Sequence, residues 1–248
     1  MIRHAAILAC SILLLAAPPA RTAKPELAVA AAANLTQVFR LVGPAFEAAS
    51  GIHPVFSFGS TAQLTRQIEN GAPWDLIAAA DSAHVGQLDR QGLLTPGSRA
   101  IYATGILALW IPPGSRARIA RPGDLPDPSV RIVALANPDL APYGLAAREA
   151  LQHLGIWVKV QPKVVYADNI SMAKQYGATG NADAVFTAYS LLLDQKGQVI
   201  PISESLHRPL TQALGIVAAS KNQAAARRFA DFLLTGEGHQ ILLRHGYR

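Results

Sequence analysis

The chain has 248 residues, half of them apolar and 15% charged, with one cysteine and a formal net charge of +6. That balance suits a packed core and excludes a disordered chain; the basic residues are scattered, which excludes a nucleic-acid-binding face. Arg3, Arg21 and Lys24 belong to the leader region, and without them the charge falls to +3, a mild positive balance that favours anions at long range.

Arg3 and His4 precede an uncharged apolar run, Ala5 to Ala17, then Pro18, Pro19 and the small residues Ala20 and Ala23. This order predicts a secretory signal peptide over residues 1–23 and export to the periplasm. Its apolar core of about 13 residues is short of the ~20 needed to span a bilayer. The competing readings are a membrane anchor and a lipoprotein; Cys10 lies inside the apolar run rather than after it, which disfavours the second. Removal of the leader also removes Cys10, so the mature chain has no disulfide and depends on packing.

Leu27 to Ala32 reads as a buried strand. Leu35 to Ala49 reads as a helix that Pro44 kinks and Gly51 ends. Val55 to Phe58, Ala62 to Asn70, Leu76 to Ala80 and Val85 to Gln91 continue as strand, helix, strand, helix. Gly105 to Ile111 is a long apolar strand closed by Pro112-Pro113. The pattern restarts with strands at Arg131 to Ala136, Lys163 to Tyr166 and Ala184 to Thr187, separated by helices at Tyr143 to Leu154 and Ile170 to Gly177. Leu214 to Ala219 is a further strand, and Gln223 to Leu234 and Gly238 to Arg244 are closing helices. Such alternation predicts an α/β fold of parallel or mixed sheets flanked by helices. No linker interrupts it, so two lobes require the chain to cross inside strands such as Gly105 to Ile111 and Leu214 to Ala219.

Four places pass from an apolar strand through a short polar turn into a helix: around Asn34, around Gly59-Ser60-Thr61, from Asn137 to Gly144, and from Tyr166 to Ser171. In open α/β sheets, ligands sit at the carboxyl ends of strands, where these turns lie. The first N–H groups of each following helix lack intrahelical partners and, with the helix dipole, form an anion site. Asn34, Ser60, Thr61 and Asn169 are capping types, Gly59 permits close backbone approach, and Pro142 suits a first helical position. None of the turns carries Lys or Arg. The competing reading is that each turn is only a cap.

Enzyme signatures are absent. No His-x-His or His-Glu-x-x-His pair offers a metal site, and no Gly-x-Ser-x-Gly elbow is present. Ser60, Asp75 and His84 follow a hydrolase-like order without that elbow, leaving a secreted serine hydrolase as a rival. Trp74, Trp110 and Trp157 read as packing residues.

With these turns located, the sequence resembles the periplasmic molybdate-binding proteins of ABC importers over nearly the whole mature chain. The stretches that carry the likeness include Ala31-Ala32-Ala33-Asn34-Leu35-Thr36, Gly59-Ser60-Thr61, Gln67-Ile68-Glu69-Asn70-Gly71-Ala72-Pro73, Ala79-Ala80-Asp81, Pro96-Gly97-Ser98-Arg99, Ala136-Asn137-Pro138, Ala141-Pro142-Tyr143-Gly144 and Gly246-Tyr247. The resemblance implies a two-lobed type II binding-protein fold, each lobe a mixed sheet flanked by helices. One lobe would comprise residues 24–104 with 213–248 and the other 105–212, with two crossover strands as hinge. It further implies molybdate, with tungstate as a near-equal ligand, held between the lobes by Asn34, Thr61 and the backbone N–H groups of Tyr143 and Ile170, with Ser60 in support. No metal ion is ligated directly, no cofactor is implied, and the partner is a membrane permease that receives the anion from a monomeric, non-enzymatic carrier. The sequence departs from one branch of the family by Asn34 and Thr61 in place of Ser and by Ala188 in place of a binding Tyr. It resembles a second branch more closely, except that Ala33 replaces a hydroxyl residue. Those departures leave sulfate, phosphate or a small organic acid as alternative ligands.

Overall fold

The computed structural model describes residues 24–248, so the expected leader lies outside the described residues. Strand β1 (Glu26–Ala32) is almost entirely buried, as its unbroken apolar run requires of a central strand. It pairs in parallel with β2 (His53–Gly59) on one side and β3 (Leu76–Ala78) on the other. Helices α1 (Phe39–Ser50), α2 (Thr61–Glu69) and α3 (Ala83–Arg90) follow these three strands in turn. β4 (Ala100–Gly105) forms one edge, and β10 (Leu210–Ile216) runs antiparallel between β3 and β4, giving the order β2-β1-β3-β10-β4.

The second sheet repeats the plan. β5 (Leu107–Ile111), β6 (Val133–Ala136), β7 (Val164–Ala167), β8 (Ala184–Ala188) and β9 (Gln198–Pro201) assemble in the order β7-β6-β8-β5-β9. β6 is parallel to β7 and β8, while β5 is antiparallel to β8 and β9. Helices α4 (Pro142–His153), α5 (Trp157–Val160) and α6 (Ile170–Ala178) belong to this lobe, and α7 (Gln223–Leu234) and α8 (Glu237–Arg244) return to the first. Phe39, Phe46, Phe56 and Phe229 meet with ring centroids between 4.8 and 6.0 Å and fasten α1 and α7 to β2.

The chain leaves the first sheet at Gly105 and enters the second at Leu107, so the run expected as one strand from Gly105 serves two sheets across Ile106. It returns along residues 202–209, which include a 3-10 turn at Glu204–Leu206. The strand expected from Leu214 starts four residues earlier, at Leu210, and ends at Ile216, because Ala218 and Ala219 are exposed. The helix expected from Leu35 is delayed to Phe39. A 3-10 turn at Ala33–Leu35 precedes it, held by the Thr36 hydroxyl donating to the Ala33 carbonyl at 2.7 Å. β4, β9 and the short α5 were not expected from the sequence pattern.

Candidate functional site

All four strand-turn-helix junctions meet at one cleft between the lobes. Its lining comprises Ala32–Asn34, Gly59–Thr61 and Ala80 from the first lobe, and Ala141–Tyr143, Asn169 and Ile170 from the second. The lobes touch around it: the Ala62 N–H donates to the Leu140 carbonyl at 3.1 Å, and the Ser171 hydroxyl donates to the Ala33 carbonyl at 2.8 Å. The free volume in this cleft is only about 10 Å³, of the order that holds one water. A tetrahedral oxyanion therefore requires the lobes to part slightly, and an extended organic ligand requires them to part further. Larger clefts of about 750 and 580 Å³ are each lined by one lobe and include none of the four turns.

In the first lobe, β2 delivers Ser60 in an extended conformation as N-cap of α2. Its N–H donates to Gln63 Oε1 at 3.3 Å, while its buried hydroxyl has no partner among the described residues. The Thr61 hydroxyl accepts the Ala80 N–H at 3.1 Å, an arrangement that leaves its proton for another acceptor. In the second lobe, Ala141 is extended and Pro142 begins α4, so the missing proline N–H costs nothing. Gly144 allows α4 to sit against the end of β6, since a Cβ there would lie 2.0 Å from the Ala136 carbonyl oxygen. Asn169 caps α6 by accepting the Met172 N–H at 3.0 Å.

Among the described residues, no backbone carbonyl accepts from the N–H of Asn34, Thr61, Tyr143 or Ile170. Thr61, Tyr143 and Ile170 lie in the first turns of α2, α4 and α6, where the dipole is positive, whereas Asn34 lies in the 3-10 turn Ala33–Leu35. The lining contains no carboxylate and no Lys or Arg, so the cleft offers neutral donors and partial positive charge: it can bind a desolvated anion without transferring a proton to it.

The structure thus brings Asn34, Ser60, Thr61, Tyr143 and Ile170 to one cleft, although Asn34 is engaged differently from a simple side-chain donor. Its amide nitrogen donates to Gln212 Oε1 at 3.0 Å and to the Tyr247 hydroxyl at 3.1 Å, leaving the Asn34 Oδ1 unpartnered. Beneath it lies a buried polar cluster that the sequence reading did not assign to the site: Gln212, Tyr102, Tyr247, Ser190 and the Tyr143 phenol. Burial pushes the Tyr102 and Tyr143 phenols well above the usual tyrosine range and that of Tyr247 up to about 12, so the cluster stays neutral. A polar Gln inside an apolar strand was the available signal. The hydrolase arrangement is not assembled. The His84 ring pairs with Asp81 at 2.7 Å, and Asp75 accepts the Ala28 N–H and the Ser220 hydroxyl at 2.8 and 2.6 Å.

The sequence model of the bacterial extracellular solute-binding proteins matches residues 27–248. The chain belongs to that family. This solute-binding protein is 34% identical over 223 residues to the molybdate-binding protein ModA of Rhodobacter capsulatus, covering 90% of this chain and 88% of that one. It is 33% identical to ModA of Azotobacter vinelandii, covering 90% of this chain and 89% of the relative. The solved Azotobacter vinelandii periplasmic molybdate-binding protein superposes with a TM-score of 0.85 at 30% identity, covering 90% of this chain and 98% of that one. The sulfate-binding protein SubI of Mycobacterium tuberculosis, at 18% identity and a TM-score of 0.76, shares the fold. The two-lobed binding-protein architecture expected from the sequence is therefore the one this solute-binding protein has.

Proposed function

We propose that the protein captures molybdate, with tungstate as a close second, between its lobes in the periplasm and delivers it to the permease of an ABC importer. The observation that carries the reading is the convergence of unpaired helix-start N–H groups and of the Ser60 and Thr61 hydroxyls on a closed cleft without charged side chains. The names of the relatives, molybdate-binding proteins in both sequence and structure, support the choice of anion. Within this reading, Thr61 donates through its hydroxyl and Ser60 supports it with a second. Tyr143 and Ile170 donate through their backbone, and Asn34 contributes the N–H of its 3-10 turn.

A rigid cage of donors grades anions by size. Sulfate and phosphate are smaller than molybdate and reach fewer donors at once, so a site sized for the larger ion discriminates against both. The protein acts as a monomeric carrier without catalysis, its lobes closing about the two crossings. Calorimetric titration with molybdate, tungstate, sulfate and phosphate tests this directly. Tight one-to-one binding of the first two alone is expected; equal or stronger binding of sulfate or phosphate would overturn the assignment.

A further inference from the structure

Gln212 lies fully buried on β10, just after the return crossing, and bonds to both halves of the cleft. Its Oε1 accepts from Asn34 Nδ2 at 3.0 Å and from the Tyr102 hydroxyl at 2.8 Å, both within the first lobe. Its Nε2 donates to the Tyr143 hydroxyl of the second lobe at 3.0 Å. Asn34 and Tyr143 each belong to a turn that lines the cleft, so a single amide joins the two turns from behind. The passage for this contact is made by Gly105, the last residue before the first crossing. A Cβ there would lie 2.0 Å from the Tyr143 hydroxyl oxygen and 2.4 Å from Gln212 Nε2.

A buried amide is costly unless its groups are paired. The acceptor side of Gln212 is satisfied inside one lobe, but its observed donor partner comes from the other. Withdrawal of Tyr143 strands that donor, which ties the integrity of the first half-site to the presence of the second.

We propose that Gln212 is a positioning residue that couples the two half-sites: through Tyr143 it holds the Asn34 turn and the start of α4 in register and slows separation of the loaded lobes. The inference rests on the oxyanion reading of the cleft. The test compares wild type, Tyr143→Phe, Gln212→Leu and the double variant by stopped-flow and calorimetry with molybdate, and by small-angle scattering without it. Tyr143→Phe retains the ring and the backbone N–H and removes only the phenolic oxygen.

Release is expected to quicken about tenfold in each single variant with little change in association, because losses within an interface fall mainly on the off-rate. The double variant is expected to be no worse than Gln212→Leu alone, as for two partners of one contact. Wild-type release from Tyr143→Phe, or fully additive losses, would overturn the proposal. If Gln212→Leu does not fold, Gly105→Ala takes its place; its loss should shrink in a Tyr143→Ala background, and an undiminished loss counts against the coupling. Should the wild type bind no oxyanion, the functional reading fails separately. Scattering then decides the coupling: a more open Tyr143→Phe protein supports it, and an unchanged one refutes it.

Discussion

The two halves of the cleft solve the same chemical problem with different parts of the chain. The first lobe presents side-chain hydroxyls, Ser60 and Thr61, on the first turn of α2, above a buried polar cluster. The second presents mainly peptide N–H groups, at Tyr143 and Ile170, where α4 and α6 begin. Hydroxyl donors are written in the sequence and can be deleted by one substitution. Peptide donors belong to any residue type, so their strength depends on where the helix starts and on what holds that start in place.

The severest test of the second half is therefore one that moves its backbone. Gly144→Ala would push a methyl into the Ala136 carbonyl, and overpacking of this kind costs about 1–3 kcal/mol. We expect molybdate binding to be lost and the melting temperature to fall by roughly 2–12 °C, at about 2–4 °C per kcal/mol, as followed by calorimetry and thermal melts. Normal binding would show that this close approach does not place the turn.

Next in size is a pair that separates peptide from side chain. Ile170→Pro deletes one N–H at a first helical position that tolerates proline, after an Asn169 already extended at φ −151°. It should weaken binding roughly ten- to a hundred-fold, the value of a hydrogen bond to a charged group. Ile170→Ala keeps the N–H and should lose much less. Equal losses would mean that packing, not the peptide, is what matters there. The counterpart in the first lobe is Thr61→Val against Thr61→Ser. The valine should lose about ten- to a hundred-fold and the serine little, although the valine also strands the Ala80 N–H.

Ser60→Ala is a finer probe. Its hydroxyl is buried without a hydrogen-bond partner among the described residues, at the N-cap of α2, so removal should cost the empty protein no more than the roughly 1 kcal/mol of a lost cap while affinity for molybdate drops. Unchanged affinity would take Ser60 out of the site.

The smallest effects concern pH. No lining group titrates near neutrality, so affinity should be flat over about pH 6–9, where neutral hydroxyl and peptide donors keep their protons. Stability should respond slightly. The hydrogen bond that the His84 ring donates to Asp81 raises the His84 pKa above 6.5; the stability it adds is complete below that value and is lost as pH rises through the raised one. At Glu149, burial pushes the carboxyl up, but the Arg208 side chain and N–H outweigh it and leave the pKa lowered. Its contribution is present above the ordinary 4.5 and is lost as pH falls through the lowered value. Urea melts of Asp81→Asn and Glu149→Gln against pH would show each slope disappear.

The difference between the halves also explains what could be read from the sequence. The helix-start turns were legible because capping residues, Pro142 and Gly59 mark them, and the alternation of apolar strands and helices marks the lobes. The buried cluster was not. Gln212 interrupts an apolar run, so the strand seemed to begin at Leu214, when the polar residue is in fact as fully buried as Leu214. Tyr247 was visible only as part of a closing Gly246-Tyr247 pair, because its contact with Asn34 spans 213 positions of sequence. The Asn34 amide, expected to face the ligand, is held by these two unseen partners.

A lining without side-chain charge has one more consequence. Peptide dipoles attract an anion but cannot cancel it, so a dianion held there leaves its whole charge on the protein. Filled and empty molecules then differ by two units in net charge, and because the chain is net positive the filled form should migrate more slowly toward the cathode in a native gel. Any surface that meets the carrier can sense its cargo as a change in electrical potential as well as in shape.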